Sequence, residues 1–420
     1  MRHPKLLIVA SLFALAGMAS AGAEALDVTI TWNDLRQRIT GFGANTAYGA
    51  GRWIMNIAEP NRTTVLNQLF DTTTGAGLSI IRGKIPGDAG DYQVMQEAKK
   101  RGVTQFWSAP WGPPSQWTGK DVANNTILQP QYYQNFADYL STFVKNYKSQ
   151  YDVDLMAISV QNEPHAGQQA WECCYYSGAN VRDFIKNNLG PTFAKDGIKA
   201  KILLPESNWD ATSWATPTIS DSVARKYAGV VAYHFYFPWM SSPVPIPHAY
   251  AKYYNLELWE TECSNMGPDI PGMAGAMDWV KIIHGLMTLA EANAYHYWWL
   301  YETGSTGEGL IYPSGTTKRL WTLANWSRFV RPGWRMIGLP YNYSTDSLVG
   351  ISAFRDMTSG KFAIVAVNLD QKNSRTLSTP KWYRPVFPSI RAAFPMPTTW
   401  AAATASSVRS WPIRRPIRVP

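Results

Sequence analysis

Residues 155–166 read LMAISVQNEPHA. The first six have the make-up of a strand buried on both faces. The chain then turns polar at Asn162 and Glu163, and Pro164 stops it. A strand that crosses an apolar core only to present an amide and a carboxylate at its end calls for a fold that collects chemistry at strand ends.

Similar runs recur outward from this one: ITGFGAN (39–45), LSIIRGKIP (78–86), TQFWSAPWGPP (104–114), KILLPESN (201–208), VVAYHFY (230–236), LELWETECSN (256–265) and AYHYWWLYE (294–302). Each is short, apolar and followed by a polar or Gly/Pro-rich break. Between most of them lie helical periodicities. Tyr133, Phe136, Leu140, Phe143 and Tyr147 recur at helix spacing, as do Met277, Val280, Ile283, Leu286 and Leu289 within 274–291. Near-continuous apolar strands alternating with helices imply a parallel sheet covered on both faces. With eight such strands the expectation is α/β, a closed (β/α)8 TIM barrel over 39–318, whose chemistry sits at the C-terminal strand ends.

After about residue 320 the pattern changes. SLVGISAFRD and KFAIVAVNLD are joined by the turn MTSG with no helix between, so antiparallel strands of a small β domain are expected over 319–372. DVTITW (27–32), within 22–38, is a candidate to join the same sheet. The stretch 373–420 is atypical. From Pro380 it carries eight Pro, seven basic residues and three Trp with no acid, the composition a shifted reading frame produces. The expectation there is a frameshifted or disordered end, and too much Pro for several strands.

The N-terminus, MRHPKLLIVASLFALAGMASAGAEA, has a basic start, an apolar stretch over 6–18 and small residues at Ala19-Ser20-Ala21. This is the pattern of a cleaved secretory signal over 1–21, and a secreted protein is expected. No later segment reaches the roughly 18 apolar residues of a membrane span. The net charge of +9 comes from the ends: +2 from 1–21 and +7 from 381–420. The remainder is close to neutral, which argues against a nucleic-acid partner. Three Cys make no disulfide framework, and buried free thiols are favoured over one bridge to Cys263. No metal-ligand spacing occurs, so no cofactor is expected, and the chain is taken to be a monomer. Nineteen Trp and 22 Tyr serve either a core or flat ligands such as sugars.

Two carboxylates on one rim suit glycoside cleavage, which needs a proton for the leaving oxygen and a second carboxylate across the anomeric carbon. Glu163 ends the fourth run and Glu262 the seventh, on opposite sides of the barrel mouth. WETE offers Glu260 as well. Alternation puts both on one side of the strand, and Glu262, nearer the end, is the better candidate.

GFGAN, SAPWGPPSQW, AISVQNEP, HFY, LWETE, YWW and SRFVRPG resemble, in order, glycoside hydrolase family 30, over about residues 27–370. The nearest branch is its glucuronoarabinoxylan endo-1,4-β-xylanases. The resemblance implies a barrel with an appended β-sandwich built from both chain ends, and a retaining endo-β-1,4-xylanase acting on a xylan-like polysaccharide. β-1,6-galactanase, β-1,6-glucanase and exo-acting xylobiohydrolase are alternatives within the family, and an inactive carbohydrate-binding barrel is another. It further implies that Glu163 is the acid/base, which needs a raised pKa, and Glu262 the nucleophile, which must stay ionised. It implies too that Asn162 bonds the sugar 2-hydroxyl, that Tyr236 holds the nucleophile, and that Trp111, Trp298 and Trp299 wall the sugar site. Arg82 stands where an arginine keeps Glu262 ionised; Trp117 is a weaker candidate and His234 reads as structural. Branch members that require glucuronate hold it with arginines shortly after WW. Here Glu302 and Thr303 stand at about those positions, so glucuronate-dependent cutting is not expected.

Overall fold

The computed structural model describes residues 26–27, 30–209, 211–236, 252, 254–265, 272–304, 306–338, 349–368, 375–378, 406–409 and 417–419. The expected signal segment, 1–21, lies outside them. Eight parallel strands form a closed barrel: β1 (Gly41–Asn45), β2 (Ile80–Ile85), β3 (Gln105–Pro110), β4 (Leu155–Ser159), β5 (Lys201–Asn208), β6 (Ala228–His234), β7 (Glu257–Glu262) and β8 (Ala294–Tyr301). Each pairs with the next, and β8 pairs with β1 to close the ring. Seven of the strands fall within the apolar runs, and β6 begins two residues ahead of its run.

Alternation along the strands sorts two cores. Ile80, Trp107, Ala157, Leu203, Val230, Ala232, Trp259 and Ala294 fill the lumen. Their neighbours Ile81, Phe106, Ile158, Ile202, Leu204, Val231, Leu258 and Tyr295 face the surrounding helices. Burial on both faces is why the runs are apolar throughout rather than at every second residue. Trp107 and Trp259 supply much of the lumen's bulk, with ring centroids 5.8 Å apart. Replacing either with Ala should cost about 3–5 kcal/mol. At the crowded β1–β2 seam only glycine fits at 43, where a Cβ would stand 1.7 Å from the Ile80 carbonyl oxygen.

Outside the barrel, Tyr133–Tyr151 forms the longest helix, burying Phe136, Leu140 and Tyr147. It ends where Asp152 turns left-handed at φ 54°, its N–H bonding to the Lys148 carbonyl. Helix Ala89–Lys100 is opened by Asp88, in a reciprocal capping box with Asp91. The second periodic segment forms helix Gly272–Thr288. Helix Lys318–Ser327 packs on it, with the Thr322 hydroxyl donating to the Ala276 carbonyl. The barrel's last helix therefore runs past residue 318, into the stretch expected to begin the β domain. Its amphipathic pattern is short and directly abuts the following strands.

Beyond it, Val349–Arg355 and Phe362–Asn368 form the expected antiparallel hairpin. They belong to a five-stranded sheet ordered Ser406–Arg409, Phe362–Asn368, Val349–Arg355, Arg335–Ile337, Leu35–Arg38. A three-stranded sheet joins Leu26–Asp27, Arg375–Ser378 and Ile417–Val419. Both chain ends thus feed small sheets, although the N-terminal strand in the larger one is Leu35–Arg38 rather than 27–32. Of the tail from Pro380, the described parts are two short strands. SSVR pairs antiparallel with Ile364–Val367, and IRV with Arg375–Leu377. SSVR lies in a stretch free of Pro, whereas IRV fits between Pro416 and Pro420; the rest of the tail lies outside the described residues.

Candidate active site

Arg82 organises the mouth of the barrel. It projects from the middle of β2 and is wholly buried. Its Nη1 donates to Glu262 Oε2, and its Nη2 pairs with Glu206 Oε1 and donates to Asn162 Oδ1 at 2.5 Å. The guanidinium carbon lies 4.5 Å from the centre of the Trp111 ring and 5.8 Å from that of Trp298. Burial opposes its charge, but Glu206 and Glu262 more than compensate and raise its pKa. A buried arginine with two carboxylates is costly to assemble, and removing one member strands the others.

Glu262 is the last residue of β7. Besides Arg82 it accepts a hydrogen bond from the Tyr236 hydroxyl at 2.5 Å. Burial, then Glu262 and Glu163, push the Tyr236 phenol well up, so it remains a donor. Glu163 lies four residues past the regular end of β4, in the left-handed region at φ 47°. Its N–H bonds to the Glu206 carbonyl, and Asn162 N–H to that of Pro110, which pins this turn to β5 and β3. Glu206, on β5, is also left-handed, at φ 61°. A side chain in this region costs of order 1 kcal/mol, and such strain gathers at functional sites.

His234 ends β6 among the three carboxylates. Its Nδ1 is 3.2 Å from Glu163 Oε1, and its Nε2 is 3.7 Å from Glu206 and 3.8 Å from Glu262. Burial disfavours its charge, but Glu262, with hydrogen bonds to Glu163 and Glu206, lifts its pKa to about 10. Glu163 is the converse. Burial pushes its carboxyl up, while the hydrogen bond from His234 and the charges of His234, His165 and Arg82 hold it below 4.5. The proton therefore rests on His234, and the raised Glu163 pKa expected from sequence is not found. Ligand-capable atoms of Glu163, His234 and Glu262 all lie within 4.8 Å of one another.

The choice within WETE is settled by register. Tyr233 pairs with Glu260 and His234 with Glu262, so Thr261 is an extra residue on β7. Such a bulge re-aims the side chains beyond it, and the two glutamates do not share surroundings as simple alternation suggested. Glu260 is fully buried, accepts N–H bonds from Glu262 and His296 at 2.9 Å, and is pushed by burial up to about 8. It is neutral at pH 7, a poor nucleophile. His296 is neutral too, held near 3 by burial, with Nδ1 donating to the Glu260 carbonyl and Nε2 accepting from Trp107.

Trp111 and Trp298 stand 5.8 Å apart above Arg82, with Tyr48 against both. Trp299 stacks on Trp298 and meets Trp53 edge-on. Trp117 packs instead against Tyr132 and Tyr139. Glu302 is turned into its own loop rather than toward a ligand. It accepts from Thr306 N–H at 2.9 Å, Glu308 N–H at 3.1 Å and the Tyr312 hydroxyl at 2.7 Å. Burial raises its pKa, but these bonds prevail and lower it. The nearer acid is half-buried Glu308, bonded by Ser264 and raised chiefly by burial, with Glu302 and Glu262 adding to it.

Residues 89–269 match the glycosyl hydrolase family 30 TIM-barrel domain. A glucuronoxylanase XynC of Bacillus subtilis (strain 168) is 28% identical over 360 residues, covering 82% of this chain and 78% of that protein. The catalytic domain of GH30 xylanase C from Talaromyces cellulolyticus superposes with a TM-score of 0.74 at 25% identity, over 85% of this chain and 89% of that one. An endo-1,6-β-D-glucanase of Neurospora crassa is 26% identical over 57% of this chain and 56% of its own length. The family model and these relatives support a place in glycoside hydrolase family 30. They support a glycosidase, built on a closed eight-stranded barrel.

Within this chain the fold gathers Glu163, Glu262, Asn162, Arg82, Tyr236, Trp111 and Trp298 at one mouth, with Trp299 behind Trp298. Sequence reading missed Glu206, in PESN, and took His234 as structural. The signal for Glu206 was present, since PESN ends an apolar run as QNEP does. Cys173 is half-buried and Cys174 and Cys263 buried, all as free thiols.

Proposed function

We propose that this glycosidase is a secreted, retaining enzyme that cleaves β-linked plant polysaccharide, with β-1,4-xylan cut mid-chain as the first substrate. The observation that carries the reading is the close approach of Glu163 and Glu262, with carboxylate oxygens within 4.8 Å. Retaining enzymes hold their two carboxyls about 5–5.5 Å apart, whereas inverting ones leave room for a water.

Glu262, held by Arg82 and Tyr236, attacks the anomeric carbon. The leaving oxygen takes a proton from the Glu163–His234 pair as its bond to that carbon breaks. Glu163 then takes a proton from water, whose oxygen displaces Glu262 and restores the starting states. His234 holds the proton against loss to solvent, and Glu163 delivers it. Asn162, with its amide oxygen bound to Arg82, keeps its NH2 to donate to the 2-hydroxyl.

Xylan is favoured by the likeness to xylanases over most of the chain. β-1,6-Glucan is the second reading, on the likeness to the Neurospora protein. Glu308 beside the nucleophile would repel a uronate, so dependence on a glucuronate branch is not proposed. The test is turnover on a polysaccharide panel by wild type, Glu262→Gln and Glu163→Ala. Glu262→Gln should abolish it with the fold intact. Glu163→Ala should retain activity only on aryl glycosides with good leaving groups. Near-full activity in Glu262→Gln would overturn the assignment.

A further inference from the structure

Beside the catalytic mouth lies a trough of about 870 Å³ between the loops that follow β3 and β4. Its walls are fastened together. Strands Thr118–Lys120 and Thr126–Leu128 form a hairpin after β3. The β4 loop docks on it through Thr126 N–H to the Gly167 carbonyl at 2.9 Å and Tyr175 N–H to the Thr126 carbonyl at 2.7 Å. The Gln168 side chain adds a bond to the Ala123 carbonyl at 2.5 Å. Gly167 permits the approach, since a Cβ there would stand 2.6 Å from Asn125. Lys84 of β2 holds the outer loop through Glu172 at 2.8 Å.

Two features of this trough are unexplained by the catalytic centre. Trp171 lines it and is 47% exposed, the one Trp among the exposed large apolar side chains of the described residues. The remaining lining mixes amides and hydroxyls, including Gln116, Gln169 and Ser115, with the half-buried ring of Tyr139. A flat apolar face beside neutral hydrogen-bonding groups matches a pyranose ring, apolar on its faces and hydroxylated around its edge. The trough also adjoins the site covalently. Gly112 follows Trp111, and the loop that carries Glu163 runs on to form the far wall.

We infer that this trough binds further sugar residues of the substrate chain on the side of the proton donor, with Trp171 as a stacking platform. The inference rests on the glycosidase reading. It deepens that reading into an extended subsite for a neutral oligosaccharide.

Trp171→Ala is compared with wild type on xylohexaose, on a β-1,6-linked gluco-oligosaccharide and on an aryl β-xyloside too short to reach the trough. The expected result is a loss of about tenfold or more in kcat/KM on whichever oligosaccharide is cleaved, and less than about twofold on the aryl substrate. Equal losses on both, or none, would overturn it. A binding measurement stands apart from turnover. Cys173 lines the trough, while the other two thiols are buried. In full-length Glu262→Gln, saturating oligosaccharide should slow maleimide labelling of Cys173 several-fold, and Trp171→Ala should abolish that protection. Unchanged labelling with both oligosaccharides would refute the subsite. Absence of wild-type turnover on every substrate would count against the glycosidase reading instead, with the labelling result still deciding the trough.

Discussion

His234→Phe tests how the site stores its proton. In the wild type, Glu163 sits below 4.5 and His234 at about 10, so the two share one proton across a 3.2 Å contact. Titration belongs to the pair rather than to either residue. The basic limb of kcat/KM should therefore lie far above an isolated glutamate, close to the value of His234. Phenylalanine keeps the ring's bulk and removes the proton. A charge-assisted hydrogen bond contributes about 1.5–3 kcal/mol. The Glu163 pKa should therefore climb in the variant. Glu163 alone would then be the acid, and its titration would set the basic limb, well below that of the wild type. At pH 9 the variant should have lost most of its plateau rate while the wild type keeps most of its own. The assay is kcat/KM from pH 4 to 10 on a substrate with a poor leaving group, with circular dichroism at each pH. Superimposable basic limbs in wild type and variant would refute the shared proton.

Arg82→Lys keeps a charge but loses the fork that reaches Glu262, Glu206 and Asn162 together. Its kcat should fall by about two orders of magnitude, since more than one charge-assisted bond is lost, and an unchanged kcat would argue for a merely structural ion pair. Glu260 is raised from 4.5 to about 8; the stability this gives is complete below about pH 4.5 and lost as pH rises through 8. Thermal melts should show the wild-type Tm falling between pH 6 and 9 more steeply than that of Glu260→Gln, and parallel curves would contradict the neutral buried carboxyl. On glucuronoxylan beside linear xylo-oligosaccharides, the linear chains should be cut at least as well. Products all bearing glucuronate at one fixed position, with linear chains untouched, would refute the role given to Glu308.

The barrel was legible because each strand is apolar on both faces and ends in a polar break, a signal confined to a few neighbouring residues. Glu163 and Glu262 were legible for the same reason, as carboxylates at two such breaks. What escaped depends on contacts across the mouth. Nothing local in PESN shows that Glu206 meets Arg82, and nothing in HFY shows that His234 stands among three carboxylates. The depressed pKa of Glu163 follows from that placement. Glu302 misled because its loop folds back onto it, with Thr306, Glu308 and Tyr312 satisfying the carboxylate. Leu35–Arg38 joined the larger sheet without an apolar pattern, since an exposed edge strand pairs through its backbone.

The extra residue on β7 makes function here a matter of counting as well as of identity. Glu260 and Glu262 are chemically the same, yet one is a neutral core group and the other faces the mouth, because Thr261 occupies no pairing position of its own. Losing the single codon for Thr261 would leave both glutamates in the gene while taking away the offset that separates their roles. A substitution at 262 removes the proposed nucleophile, but such a deletion would hand the strand end to whichever glutamate the new register delivers.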